Sequence, residues 1–257
     1  MTNILKSDLY RFGKSKLFYG IAVFAGIIAL LLMMLIRQDI HFGISVVGDL
    51  TAFKTSEDVV HIGAKYQKGL GILIAVLISV FIGQEYQWKT WQHKWVTNNS
   101  RYFIYLSKTA LSSAVSVMIF LLFEIVALLC SGQIREMLTG EYVTMITCSI
   151  FIYAALGSVI CLLSMLIKNS TASTLVCLGY VLFSETLVSL IKNLSGFSDI
   201  ATRFTEWSVQ HSIYGMSLII SGRSVSSNLI IPFLINSLVI MIISTSIGLF
   251  FFRKYEL

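Results

Sequence analysis

Five uninterrupted apolar runs, residues 17–36, 109–129, 145–167, 172–191 and 229–252, decide what this chain can fold into. An α-helix rises about 1.5 Å per residue, so about 20 apolar residues cross the roughly 30 Å hydrocarbon core of a bilayer. Inside that core the backbone has no water to bond, and a helix satisfies its own amides and carbonyls. A sixth run, residues 70–83, has 14 residues and reaches only about 21 Å. It gains the required length by starting upstream near residue 60, which puts Lys65 and Lys68 on its outer turns, three apart and able to share one wet face. The expected spans are therefore 17–36, 60–83, 109–129, 145–167, 172–191 and 229–252, in a single all-α integral membrane domain over residues 1–257. Composition agrees. Hydrophobic residues make up 56% and charged residues 12%, about half the quarter expected of a domain surrounded by water. A soluble globule, a disordered chain and a nucleic-acid binder are all disfavoured by that balance.

Six spans put both termini on one side of the membrane, and lysine and arginine choose the side. Segments on the terminal side carry eleven basic residues, among them Lys6, Arg11, Lys14, Lys16, Lys89 and Lys94, against the acids Asp8, Glu85 and Glu256, a balance of +8. The opposite segments carry eight of each sign. The positive-inside rule then places both termini in the cytoplasm. The net charge of +6 is that inner excess less Glu124 and Glu185, the two acids inside apolar runs. The first run follows Arg11, Lys14 and Lys16 with no small-residue cleavage site, so it is expected to stay as a span rather than leave as a signal peptide. Cys130, Cys148, Cys161 and Cys177 lie within or at the edge of apolar runs without metal-ligand spacing, and read as small buried residues. A disulfide between Cys130 and Cys148 is the minor alternative. His41, His61, His93 and His211 are scattered and form no metal-ligand pattern.

The largest cytoplasmic segment lies between the second and third spans. There Trp88, Trp91 and Trp95 recur at i, i+3 and i+7, one face of a helix, with Lys89, His93 and Lys94 largely elsewhere. Tryptophan beside lysine suits a membrane interface, where the ring is buried and its N–H stays wet. Two readings follow: a short interfacial helix that anchors the loop, or a helix that docks onto a soluble partner.

Taken in order, Glu85-Tyr86, Lys89-Thr90, Ser100-Arg101 and then Lys108 at the start of the third span resemble a pattern of the ABC-2 permease subunits. That family follows its second span with Glu-Tyr-x-x-Gly-Thr, a variable stretch, Ser-Arg and Lys. Residues 5–12, Leu-Lys-Ser-Asp-Leu-Tyr-Arg-Phe, resemble its amphipathic helix leading into the first span, and residues 250–257 its short basic tail. The resemblance covers essentially the whole length, with one departure: Lys89 stands where the family has glycine. It implies an ABC-2, type V exporter-like fold, with an amphipathic interface helix over residues 1–16 and a cytoplasmic coupling helix over 84–99 seated in a groove of a separate ATPase subunit. It implies a dimer of permeases, identical or paralogous, bearing two ATPases in the cytoplasmic (inner) membrane of a bacterium. Coupling to the ATPase would fall to Glu85, Trp88, Lys89, Thr90, Trp91, Lys94, Trp95 and Arg101, with Lys168 in a second, smaller contact. The implied substrate is an amphipathic peptide or toxin, moved for export or immunity. The chain holds no Gly-x-x-x-x-Gly-Lys-Ser/Thr phosphate loop, so ATP and Mg are expected on the partner, with no cofactor and no catalysis here.

A charge at the bilayer centre costs about 2.5–3.5 kcal/mol on insertion scales, so Glu124 and Glu185 are not expected to face lipid. Counted from the cytoplasmic ends of their spans, the two differ in depth by about 3 Å and can share a layer. They are either protonated carboxyls bonded to a neighbouring helix or a polar lining of the translocation path. In the extracellular segment 192–228, Phe197, Ile200, Phe204 and Trp207 recur at helical spacing, and residues 213–220 are apolar again. Two short helices dipping into the outer leaflet are expected, before Pro232 opens the sixth span. Two other functions fit the same sequence: a proton-coupled secondary transporter using Glu124 and Glu185, and a non-transporting membrane scaffold or sensor subunit.

Overall fold

The computed structural model describes residues 2–38, 40, 42–46, 49–53, 55–88, 101–195, 199–222 and 227–254. The chain begins with α1 (Thr2–Gly13) and α2 (Lys16–Arg37), then a hairpin of β1 (Phe42–Val46) and β2 (Asp49–Phe53). Next come α3 (Ser56–Ala64), a 3-10 turn (Tyr66–Lys68), α4 (Leu70–Gln87), α5 (Arg101–Ser131), α6 (Ile134–Met137) and α7 (Gly140–Leu166). The last elements are α8 (Ser170–Leu182), α9 (Ser184–Ser195), α10 (Asp199–Gln210), α11 (Ile213–Ile220) and α12 (Ile230–Lys254). Among the described residues, α2, α4, α5, α7 and α12 are long and apolar enough to cross a membrane, and the bent pair α8–α9 makes a sixth span if it counts as one. The chain is a multi-pass helical membrane protein.

At its centre stands α7, packed against α5, α12 and α4. Helices in lipid gain little from the hydrophobic effect, so close backbone approach at small residues does much of the joining. A Cβ on Gly157 would lie 2.6 Å from the Ser112 carbonyl oxygen and 2.8 Å from Ser113 Cα, so α7 and α5 meet backbone to backbone. Gly83 of α4 meets Ser170 of α8 in the same way, with Ser170 Cα 2.6 Å from the Cβ position. Gly157→Ala is expected to cost about 1–3 kcal/mol by overpacking, seen as a lower unfolding midpoint of the purified protein in detergent.

Three expectations require correction. The second span does not begin at residue 60. Instead α3 ends at Ala64, and the chain turns through Gly69 at φ 152° before α4 starts. Only glycine adopts that backbone without strain, and a Cβ on Gly71 would press on the Tyr66 carbonyl oxygen at 2.5 Å. Lys65 and Lys68 therefore sit in this turn rather than on a span. The fifth span, expected as one run over 172–191, bends by 59° where α8 gives way to α9. Beside that break the Ser184 hydroxyl donates to the Val181 carbonyl at 3.0 Å, a local bond that competes with the helical ladder. The third span begins at Arg101, and its 31 residues run about 46 Å, well beyond the hydrocarbon core. Beside this helical architecture stands one short hairpin, in which β1 and β2 pair antiparallel, from Phe42 opposite Phe53 to Val46 opposite Asp49.

Other expectations hold. Both short helices appear in the 192–228 segment, as α10 and α11, and α11 buries Ile213, Met216 and Ile220 with α7 and α3 as neighbours. The sixth span, α12, carries Pro232 in its first turn, where the missing N–H breaks no helical bond. All four cysteines are free thiols, three of them buried.

Candidate functional site

One face of α1 builds the site. Ile4, Asp8 and Phe12, spaced four apart, are all buried, whereas Leu5, Leu9 and Tyr10 are exposed. Residues at i, i+4 and i+8 line one stripe of a helix, so α1 docks on the bundle along a stripe with an aspartate at its middle. An unpaired buried carboxylate is costly. Asp8, 1% exposed, meets the ammonium of Lys108 on α5, itself 0% exposed, at 3.0 Å. Lys108 also pairs with Glu85 of α4, 0% exposed, and Arg11 reaches the same Glu85 oxygen at 2.6 Å. The second Arg11 nitrogen donates to the Phe81 carbonyl at 3.0 Å. Arg11 and Lys108 stand over the Phe81 ring at 4.1 and 4.9 Å from its centroid, and Phe12 packs edge-on against that ring at 5.1 Å.

Among the described residues, two cations and two carboxylates thus form a cluster that ties α1, α4 and α5 together at one end of the bundle, the near end. Charge-assisted bonds are strong where water is excluded, but desolvation offsets much of that strength. The cluster is therefore a joint whose integrity matters more than its net stabilisation. The cavity beside it, bounded by Phe12, Phe81, Lys108 and Ser112 among others, holds only about 10 Å³, room for one water at most. It is not a ligand pocket.

The last turn of α4 is also gripped from its other side. Tyr86, next to Glu85 in sequence, donates its hydroxyl to the Met165 carbonyl of α7 at 3.2 Å. With the Gly83–Ser170 contact, α4 is locked to the short turn between α7 and α8. Asn169 in that turn caps α8, its side-chain oxygen accepting from Thr171 N at 3.0 Å. The chain then leaves α4 through Trp88, 64% exposed, directly into residues 89–100.

The expected coupling residues divide three ways. Trp88 and Lys168 are exposed at the near end, where a partner can reach them. Glu85 faces inward and is spent on Lys108 and Arg11, so the expectation of a surface contact there is corrected. Arg101 opens α5, while Lys89, Thr90, Trp91, Lys94 and Trp95 lie outside the described residues. Sequence reasoning missed Asp8 as a partner of Lys108 and Arg11 as a partner of Glu85, although an acid centred in the Ile4–Phe12 stripe was a usable signal.

Glu124 and Glu185 do not share a site. Glu124 of α5 is 1% exposed, with neither carboxyl oxygen accepting a hydrogen bond. It lies against Gly63 and faces the phenol of Tyr142. Tyr153, stacked on Phe120 at 4.6 Å, donates to the Gly63 carbonyl at 2.6 Å in the same region. Glu185 instead sits exposed in the first turn of α9, just past the break at Phe183, which corrects the shared polar layer expected of the two. Among the described residues, no group of three or more His, Cys, Asp or Glu side chains is placed to hold a metal ion. No protein-family model matches the chain, and no curated protein is similar to it.

Proposed function

We propose that the chain is a non-catalytic permease subunit of an ABC-2 type exporter, driven by a separate ATPase and moving an amphipathic substrate, peptide or toxin, out across the cytoplasmic membrane. The near end then faces the cytoplasm, where the basic excess of the sequence lies. Two ATPases serve two permease copies, and ATP with its Mg sits on the ATPases. The observation that carries this reading is the grip on the end of α4. Residues 89–100, which include Thr90 and Ser100 of the resemblance, continue from a turn that Glu85 ties to α1 and α5 and that Tyr86 ties to α7. A push on that segment reaches four helices at once. Rigid elements joined in this way rock together rather than deform one by one.

Co-purification with the ATPase encoded beside this chain tests the reading. Trp91→Ala and Lys94→Glu are each expected to weaken the complex about tenfold, or about 1.4 kcal/mol, and to lower stimulated ATP hydrolysis. A complex that fails to form with the wild-type chain, or forms equally well with both variants, defeats the proposal. The buried carboxyl of Glu124 keeps one other reading in play, proton-driven transport. That reading calls for transport that collapses with the proton gradient and is indifferent to loss of the ATPase.

A further inference from the structure

Ala114, Met118, Leu121 and Ile125 recur every three or four residues along α5 and line a groove of about 460 Å³ in which every lining side chain is apolar. Ala114, Met118 and Ile125 are exposed, so the groove lies on the outside of the bundle. Its lining runs from Ala114 to Val126, about 18 Å of helix. That is close to the ~15 Å of hydrocarbon in one leaflet, half of the roughly 30 Å core.

The neighbouring helix α2 borders the groove. A Cβ on Gly26 would lie 3.6 Å from Leu122 and 3.9 Å from Val126, both of the lining. Both helices run from the near end to the far end, opposite the joint: Phe18 of α2 packs on Phe12 at 4.6 Å, and Lys108 of α5 belongs to the joint itself. Lys16 precedes Gly26 by ten residues, or about 15 Å, which sets it level with about residue 114, the near mouth of the groove. Lys16, Tyr19, Val23 and Gly26 follow at steps of three and four, one stripe of a helix. Along that stripe stand an exposed charge, an exposed amphipathic ring, an exposed aliphatic side chain and a gap. Tyrosine suits the boundary between headgroups and hydrocarbon. Lys14, in the turn before α2, is exposed too, with its ammonium 5.0 Å from the centroid of the Tyr10 ring. Neither Lys14 nor Lys16 has a carboxylate partner among the described residues.

Every lipid-facing helix touches acyl chains. Holding one lipid in preference to its neighbours takes depth for a chain and a partner for the headgroup, and this place offers both. The charges also separate a lipid from a second copy of the chain. The near-end acids among the described residues, Asp8 and Glu85, are buried and bonded to Lys108 and Arg11, so a second copy brings these lysines no carboxylate from that set. A zwitterionic headgroup carries its own ammonium to the same spot, whereas a net negative headgroup does not.

We infer that the groove between α2 and α5 binds an anionic phospholipid of the near leaflet, with one acyl chain along residues 114–126 past Gly26 and the phosphodiester on Lys14 and Lys16. The inference rests on the chain spanning a bilayer and not on the exporter reading.

The whole chain, purified in detergent without any ATPase, provides the test, so failure here and failure of the exporter reading are told apart. It is titrated with phosphatidylglycerol and with phosphatidylcholine of identical acyl chains, and bound lipid is counted by native mass spectrometry. One phosphatidylglycerol is expected to bind at least about tenfold more tightly than phosphatidylcholine. Paired substitution K14Q and K16Q is expected to bring the two lipids within about twofold of each other. Gly26→Leu starts its side chain at ordinary contact distance and fills the groove, so it is expected to weaken both lipids about tenfold and to keep the preference between them. The lysine pair removes exposed groups without ion partners, so its result stands whether or not Gly26→Leu folds. Equal binding of the two lipids to the wild-type chain, or a preference unchanged in the lysine pair, overturns the site. So does lipid binding unchanged in a folded Gly26→Leu, or a dimer that this variant dissociates with no loss of bound lipid, which would give the groove to a second copy.

Discussion

Lys108→Met is expected to destabilise the protein more than any other single substitution named here. It leaves Asp8 and Glu85 buried without the ammonium that both face. Breaking a buried ion pair by removing one partner costs about 3–5 kcal/mol, a large part of the roughly 5–15 kcal/mol that holds a typical protein folded. For a chain of this size the unfolding midpoint in detergent should fall by roughly 6–20 °C. Arg11 does not rescue the variant: its side chain is 31% exposed and it approaches Glu85 rather than Asp8. A second variant separates charge from packing. Replacing Asp8 with Leu, Glu85 with Met and Lys108 with Met together removes the buried charges at similar volume, and should recover most of the loss. A triple variant as unstable as Lys108→Met alone would mean that packing, not unpaired charge, sets the cost.

The second large effect is close to all-or-none. In a chain whose four native cysteines are replaced by alanine, Gln133→Cys at the far end is expected to react with a membrane-impermeant maleimide on intact cells. Lys168→Cys at the near end is expected to react only after lysis. Both positions are exposed, so access is decided by the side of the membrane and not by burial. Each basic residue near an anionic inner leaflet is worth about 1 kcal/mol, so the near-end excess amounts to several kcal/mol. At about 1.4 kcal/mol per factor of ten, one orientation should prevail by well over a hundredfold. Labelling in the opposite sense would put residues 89–100 outside the cell and end the ATPase proposal.

The spans were legible in the sequence because lipid imposes a length: helices that must bury every backbone bond over about 30 Å announce themselves as apolar runs. What interrupts a span was much less legible. Gly69 breaks the second because its backbone takes φ 152°, and no hydrophobic pattern encodes a dihedral. The bend near Phe183 has neither proline nor glycine at it, only a serine hydroxyl turned back on its own helix. That bend carries Glu185 to the exterior, whereas Glu124, in an unbroken helix, stays inside as its apolar run implied. The hairpin did leave a trace: Phe42, Ile44 and Val46 alternate with Gly43 and Ser45, the period of a strand, but five residues are a weak signal beside the long apolar runs. At the near-end joint the single residues were visible and their pairing was not. Asp8, Glu85 and Lys108 come from three helices far apart in sequence, and only packing brings them together.

The joint at Lys108 also sets an order of events during synthesis. Asp8 and Lys108 are about 100 residues apart, which at ~5–20 residues per second takes the ribosome roughly 5–20 s. Through that interval α1 is complete but has no ammonium to receive its aspartate, while α2 and then α4 are already being threaded into the bilayer. It has to wait at the water–lipid boundary, exposed apolar side chains down and Asp8 still hydrated. Its seat is complete only when α5 arrives. Of the three helices in this joint, the first to be translated has to wait for the last, and a chain that stalls before residue 108 displays a loose N-terminal helix as the mark of an unfinished product.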